Sequence, residues 1–99
     1  MTTEIKITRE DQPTRGRYVA TIDGIAAEAE LTYSRASDKL IIADHTGVPD
    51  DFRGKGVGTA LFMRLVTDAR AQSVKIVPLC PFVNAQRLRH PEWADAFQA

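Results

Sequence analysis

The glycine run at residues 53–58, Arg-Gly-Lys-Gly-Val-Gly, separates two hydrophobic patterns in this chain. Before it, apolar residues alternate with polar ones, which is the period of a half-buried strand. After it, apolar residues recur at the spacing of an amphipathic helix. Glycine reaches backbone conformations that other residues avoid, so three glycines in this short run favour a tight loop. The sequence therefore predicts a strand, a glycine-rich loop and a helix in direct succession.

Four strands are predicted before the loop. They cover residues 4–9, 16–22, 27–33 and 39–48. The alternation in the second strand places Tyr18, Ala20 and Ile22 on one face. Asp23 and Gly24 form a two-residue hairpin signal, because both residue types tolerate a positive φ. Since all the connections are short, we expect an antiparallel meander.

Residues after the loop predict one long helix and several shorter elements. An apolar stripe indicates a helix over residues 57–72, and a short apolar strand is expected over 73–79. Residues 80–97 favour a short helix, broken at Pro91, and a final helical turn. Because the long helix joins two strands, those strands should be parallel neighbours. We expect an α+β fold and a single domain over residues 1–99, with a mostly antiparallel sheet and one parallel pair.

The composition gives no indication of nucleic-acid binding, membrane binding, a disulfide or a metal site. Thirteen basic and thirteen acidic side chains give zero net charge, so nothing indicates binding to nucleic acid or to an anionic membrane. One cysteine permits no internal disulfide and fits a reducing cytosol. Two histidines and that cysteine offer no recognisable zinc set, so no metal is expected. The first residues lack the apolar run of a signal peptide, and we expect a cytoplasmic monomer.

The glycine-rich loop can be an anion site. The first turn of a helix leaves backbone N–H groups without partners, and the helix dipole adds positive charge there. Arg53 and Lys55 add formal charge, so a diphosphate would suit this loop. The alternative is a loop whose glycines serve only turn geometry. The glycine spacing fits neither the Rossmann pattern nor the P-loop pattern.

The pattern Arg53-x-x-Gly56-x-Gly58 resembles the [RQ]-x-x-G-x-[GA] signature of the GNAT superfamily of acyl-CoA-dependent N-acetyltransferases. The stretches ADHTGVPDDFRGKGVGTAL, VPLCPFV and RHPEW resemble a small single-domain branch of that superfamily, most strongly over residues 41–93. The resemblance implies a short GNAT-like fold whose parallel strand pair splays around coenzyme A. One departure is Gln86, where relatives commonly carry an aromatic residue.

The resemblance also implies which residues hold acetyl-CoA. Backbone amides of the glycine-rich loop would bind the pyrophosphate, and the end of the preceding strand would bond the pantetheine arm. The cofactor-binding residues so implied are Thr46, Val48, Arg53, Gly54, Lys55, Gly56, Val57, Gly58 and Thr59. Gly47 is the expected place for a bulge where the parallel strands separate, and Pro49 would end the strand by removing a donor.

Cys80 and His45 are the candidate catalytic residues. Larger GNAT enzymes use a tyrosine after the fifth strand as general acid, whereas the tyrosines here, Tyr18 and Tyr33, lie far upstream. Cys80 stands in that place instead. It is an inert core thiol, a proton donor to the coenzyme thiolate, or a nucleophile that carries the acetyl group. His45 ends the adjacent strand and is the candidate base for the thiol.

These features predict an acetyl-CoA-binding N-acetyltransferase that acts on an unidentified amine, either a small molecule or a protein. The alternative is a module that binds coenzyme A without catalysing transfer. A plain structural domain is a third class, and it predicts no coenzyme affinity.

Overall fold

A computed structural model describes residues 4–98 of the chain. The strands are β1 (Ile5–Asp11), β2 (Arg15–Ile22), β3 (Ala29–Ser37), β4 (Leu40–Gly47) and β5 (Lys75–Val77). The α-helices are α1 (Val57–Gln72) and α2 (Pro81–Arg89), and short 3₁₀ segments cover Asp50–Phe52 and Pro91–Ala96. None of the helices in this part of the chain is long and apolar enough to cross a membrane.

The sheet has the order β1-β2-β3-β4-β5. Strands β1 to β4 pair antiparallel, and β5 pairs parallel with β4 across the connection through α1. The predicted α+β class, the meander and the single parallel pair are therefore confirmed.

The predicted bounds of β5 and the predicted two-residue hairpin after β2 are wrong. Strand β5 starts late because Ser73, at φ 56°, ends α1 in the left-handed conformation, and it stops before Pro78, which has no N–H to donate. Gly24 does lie in a turn, at φ 88°. The β2–β3 pair nearest to that turn is Ala20 with Ala29, so eight residues lie between the paired residues. The connection is consequently longer than a two-residue hairpin.

One face of the sheet packs against α1, and we call it the covered face. It carries the apolar side chains predicted to share one face of β2, together with Leu31 and Ala43 from the next strands. Leu61 and Leu65 of α1 complete this core and are fully buried. The opposite face, which we call the open face, carries mainly polar side chains such as Arg17 and Thr32.

A polar cluster joins α1 to strands β1 and β2 at one edge of the sheet. The carboxylate of Asp68 accepts hydrogen bonds from the hydroxyl of Tyr18 at 2.9 Å and from Arg64 at 3.2 Å. Arg9 of β1 donates a third hydrogen bond to Asp68 at 3.4 Å. Because these groups lie between helix and sheet, the cluster fixes the position of α1 over β1 and β2.

Replacing Asp68 with alanine should lower the free energy of unfolding by about 2–3 kcal/mol. The variant removes the acceptor of the buried Tyr18 hydroxyl and one acceptor each from Arg9 and Arg64, which keep their contacts to Tyr33 and to the carbonyl of Ile7. The site is half-buried, which costs less than a fully buried one. Chemical denaturation measures the loss. Asp38→Ala, in the exposed β3–β4 turn, is the control and should change stability by less than about 0.5 kcal/mol. Equal stability of the two variants would contradict the role given to Asp68.

Candidate functional site

The glycine-rich loop leads directly into α1. Gly54 has φ 76° and Gly56 has φ 74°, both in the left-handed region that favours glycine. A Cβ built at either position would have no neighbouring heavy atom within 4 Å. The two glycines are therefore required by backbone conformation, and the space beside them is open.

The N-terminus of α1 has unpaired backbone donors. Gly56 is the N-cap residue, no side chain caps the helix, and the first turn contains no acidic residue. The first intrahelical hydrogen bond runs from the N–H of Ala60 to the carbonyl of Gly56 at 3.0 Å. The N–H groups of Val57, Gly58 and Thr59 therefore have no intrahelical acceptor and are available to an anion.

Two basic side chains flank these donors. Arg53 pairs with Asp50 at 3.2 Å, but both side chains are more than 80% exposed, so the pair contributes little stability. Lys55 is exposed as well. Both cations can consequently turn toward a bound phosphate at low cost.

Gly58 has a different role from the other glycines in the loop. A Cβ at this position would lie 2.7 Å from Cζ of Phe82, which is inside van der Waals contact. Gly58 therefore allows the ring of Phe82, on α2, to approach the first turn of α1. Phe52 directly precedes the loop, and its side chain anchors the loop in the core with 1% of its surface exposed. Neither aromatic residue was predicted as a site residue, although Phe82 lies in the stretch VPLCPFV and a phenylalanine between charged residues in a loop is a usable signal for Phe52.

Strands β4 and β5 separate soon after they pair. Their ladder contains only the residues Leu40–Ile42 and Lys75–Val77. One further contact follows, in which the N–H of Cys80 donates to the carbonyl of Ala43 at 2.8 Å. Beyond it, residues 44–47 of β4 pair with no strand on the β5 side within residues 4–98, and we call this opening the cleft. Its unpaired backbone groups need acceptors and donors, which an amide-containing ligand can supply.

A β-bulge lies at Asp44, where the cleft begins. Tyr33 pairs with Ala43 and Thr32 pairs with His45, so Asp44 is the extra residue on β4. The bulge had been predicted at Gly47, which instead forms a regular pair with Glu30. That prediction is wrong because a bulge of this kind requires one extra residue on the strand and does not require a glycine. The predicted end of the strand before Pro49 is confirmed, and Val48 is 39% exposed beside it.

Cys80 lies on the covered side of the cleft. It is the N-cap residue of α2 and is 3% exposed. Its Sγ is 3.4 Å from Oγ1 of Thr46, which pairs with Leu31 and so faces the same side. The thiol therefore has a hydroxyl as its polar neighbour.

His45 and Cys80 do not meet. His45 pairs with Thr32 on the open face and is exposed, and a Cβ on Gly47 would lie 3.4 Å from its Nε2. The predicted activation of the Cys80 thiol by His45 has no geometric basis in this arrangement, whereas Thr46 takes the neighbouring position. Catalytic roles for His45 and Cys80 remain separate predictions.

Neither tyrosine serves the cleft as an acid. Tyr18 donates its hydroxyl proton to Asp68, and Tyr33 donates to Asp11. Burial raises the pKa of both phenols above the ordinary value of about 10, and the hydrogen bonds to carboxylates raise each pKa further. The two hydroxyls are thus engaged in the core.

A mixed sheet that opens between two parallel strands, next to an uncapped glycine-rich helix N-terminus, is the GNAT-like fold expected from the sequence. A sequence model of the GCN5-related N-acetyl-transferases matches residues 17–96, and the chain belongs to this family. The solution structure of a GCN5-like candidate N-acetyltransferase from Staphylococcus aureus is similar, with a TM-score of 0.73 and 29% identity. The match covers 95% of this chain and 88% of that one. No curated protein matches the chain. The family resemblance inferred from the sequence is confirmed.

Proposed function

We propose that the chain binds acetyl-CoA and transfers its acetyl group to an amine. The observation that carries the proposal is the uncapped N-terminus of α1, with its open glycine loop, directly beside the cleft between β4 and β5. A diphosphate satisfies the free N–H groups, and an extended amide-containing arm satisfies the free edge of β4.

Each part of the coenzyme would meet a different group of residues. The pyrophosphate binds the amides of residues 54–59, with Arg53 and Lys55 as mobile counter-charges. The pantetheine arm runs along β4 past Thr46 to Val48, bonding to the backbone. This path leads the thioester toward Cys80, whose amide already bonds to β4.

Acetyl transfer requires protons to move on both sides of the carbonyl. The amine nitrogen forms a bond to the carbonyl carbon, and the carbon–sulfur bond breaks with its electron pair on the coenzyme sulfur. The nitrogen must lose a proton and the sulfur must gain one. The lack of a base beside Cys80 favours the thiol as proton donor to the sulfur, while an acetyl carrier on Cys80 is the other outcome that experiment can distinguish.

His45 suits the amine side of the reaction. Its ring is exposed on the open face next to the cleft, opposite Cys80. A neutral imidazole there accepts a proton from an amine that approaches through the open face. The two candidate catalytic residues thus act on opposite sides of the thioester rather than on each other.

A coenzyme-binding module without turnover is the second candidate function. Two observations favour it: both tyrosines are engaged in the core, and the polar neighbour of Cys80 is a hydroxyl rather than a base. It shares the coenzyme site with the first candidate, so only turnover separates the two.

Cytoplasmic location and a monomeric state accompany the proposal. Cys80 can donate a proton or carry an acetyl group only as a reduced thiol, and a reducing compartment keeps it so.

Calorimetry with three ligands tests the coenzyme site. Acetyl-CoA and CoA should bind with similar affinity, because both carry the pyrophosphate. S-Acetylpantetheine lacks the pyrophosphate and should bind about 100-fold more weakly, since charge-assisted hydrogen bonds to the loop are lost. Equal binding of all three ligands, or of none, would overturn the proposal. Release of CoA thiol in the presence of amines distinguishes the transferase from the binding module.

A further inference from the structure

The open face contains a pocket of about 380 Å³ that the coenzyme site does not use. It spans β1 to β4, and we call it the open-face pocket. Its lining includes Glu10, Arg15, Arg17, Thr32, Ser34 and Asp44. The charged side chains among these comprise two acids and two bases, so the pocket has both signs of charge and no net charge.

Only part of this charge is compensated within the protein. Arg17 makes two hydrogen bonds to Glu10, at 2.9 and 3.3 Å, and lies 3.7 Å from a carboxylate oxygen of Glu30, so its charge is already compensated within the protein. Asp44 is half-buried and accepts one hydrogen bond, from the hydroxyl of Ser34 at 2.6 Å. Within residues 4–98, neither Asp44 nor Arg15 forms an ion pair. An anion at one end and a cation at the other are therefore left for a ligand.

The anionic end of the pocket borders the cleft. Asp44 is the bulge residue of β4 and directly follows Ala43, whose carbonyl accepts the amide of Cys80. Asp44 and His45 both face the open side, whereas Cys80 faces the covered side. A group bound to Asp44 would thus reach the cleft from the side opposite Cys80.

We propose that the open-face pocket is the acceptor site and that it takes a small zwitterionic amine. The ammonium group binds Asp44 and the carboxylate binds Arg15. Arg15 pairs with Ser34, which in turn pairs with Ile42, two residues before Asp44. The two ends are therefore separated by two strand spacings of together about 10 Å and by an offset of two residues along β4. A molecule of the length of lysine spans the distance left between the two side chains. The assignment rests on the proposed acetyl transfer.

Protons balance in this arrangement. The bound ammonium gives up one proton to His45, and through it to water, before the nitrogen attacks the thioester. It gives up a second proton as the amide forms, while the departing coenzyme sulfur takes the thiol proton of Cys80. The second amine proton returns through water to Cys80, so one proton is released to solvent overall. The products are the N-acetyl amino acid and CoA thiol.

L-Lysine and cadaverine are the probes, because cadaverine keeps the amine of lysine and lacks its carboxylate. With wild-type protein and acetyl-CoA, lysine should have a KM at least about tenfold below that of cadaverine. Asp44→Asn should raise the KM for both probes about tenfold or more, and Arg15→Gln should remove only the preference for lysine. Acetyl-CoA affinity should stay unchanged in both variants. Asp38→Asn, in the exposed β3–β4 turn, is the control and should behave as wild type.

A binding readout separates this inference from the proposed function. In amide-resolved NMR without coenzyme, lysine should shift the signals of Ser34 and Asp44, and Asp44→Asn should abolish these shifts while the other signals report an intact fold. Acetyl-CoA binding without any lysine shift would overturn the acceptor site and leave the coenzyme site standing. Lysine shifts without acetyl-CoA binding would support the pocket as a zwitterion site and overturn its role in transfer.

Discussion

Gly56→Glu is expected to weaken acetyl-CoA binding by about 100-fold or more in calorimetry. Gly56 lies at φ 74° with open space where a side chain would project. A glutamate there places a carboxylate beside the amides that would bind the pyrophosphate, and juxtaposed like charges cost several kcal/mol. Each 1.4 kcal/mol is about a tenfold change in affinity, so this repulsion is sufficient.

Gly24→Glu is a closely matched control. Gly24 also has a positive φ, 88°, and also has no heavy atom within 4 Å of its built Cβ. It lies in the β2–β3 turn, outside the glycine-rich loop and 32 residues before Gly56 in the chain. The left-handed conformation should cost each variant about 1–2 kcal/mol of stability, whereas only Gly56→Glu should lose acetyl-CoA. Undiminished binding by Gly56→Glu would refute the pyrophosphate site, and equal losses in both variants would assign the effect to stability.

The loop and its surroundings could be predicted because each depends on local sequence. The change of hydrophobic period identifies the strand before the loop and α1 after it. The positive φ at Gly54 and Gly56 is a property that the residue type itself indicates. Parallel pairing of β4 and β5 follows from the length of the connection through α1.

The relation between His45 and Cys80 could not be predicted because it depends on a bulge. Ile41 and Ala43 are buried on the covered face, and simple alternation would continue with His45 on that face. The extra residue at Asp44 reverses the alternation, so Thr46 faces the covered side instead. Nothing in the local sequence indicates this insertion, since it is fixed by pairing with β3.

The contacts of the tyrosine hydroxyls and the grouping of charges on the open face also depend on pairing between distant residues, so the sequence could not predict them. Tyr18 and Tyr33 are remote from the cleft in sequence, and the structure adds that their hydroxyls bond to Asp68 and Asp11. The open-face pocket is made from four strands, so its charges could not be grouped before the register was known.

Cys80→Ala is expected to reduce amine acetylation by about 100-fold while acetyl-CoA affinity changes less than about twofold. A general acid contributes at least about 100-fold to such a reaction, and the coenzyme-binding groups lie mainly on the loop and β4. Steady-state release of CoA thiol and calorimetry measure the two quantities separately. Unchanged turnover in Cys80→Ala would reduce Cys80 to a core thiol.

Cys80→Ser distinguishes chemistry from packing at this buried position. Serine preserves most of the volume of the 3%-exposed side chain and can keep a hydrogen bond with Thr46, but its hydroxyl is a far weaker acid than a thiol. Loss of turnover in both variants therefore identifies the thiol proton as the active feature, whereas recovery in Cys80→Ser identifies packing.

Intact-protein mass spectrometry then separates the two thiol mechanisms. A proton donor leaves the wild-type protein unmodified during turnover, and a carrier shows an acetyl adduct that Cys80→Ala abolishes. Because His45 faces away from Cys80, we expect turnover without the adduct.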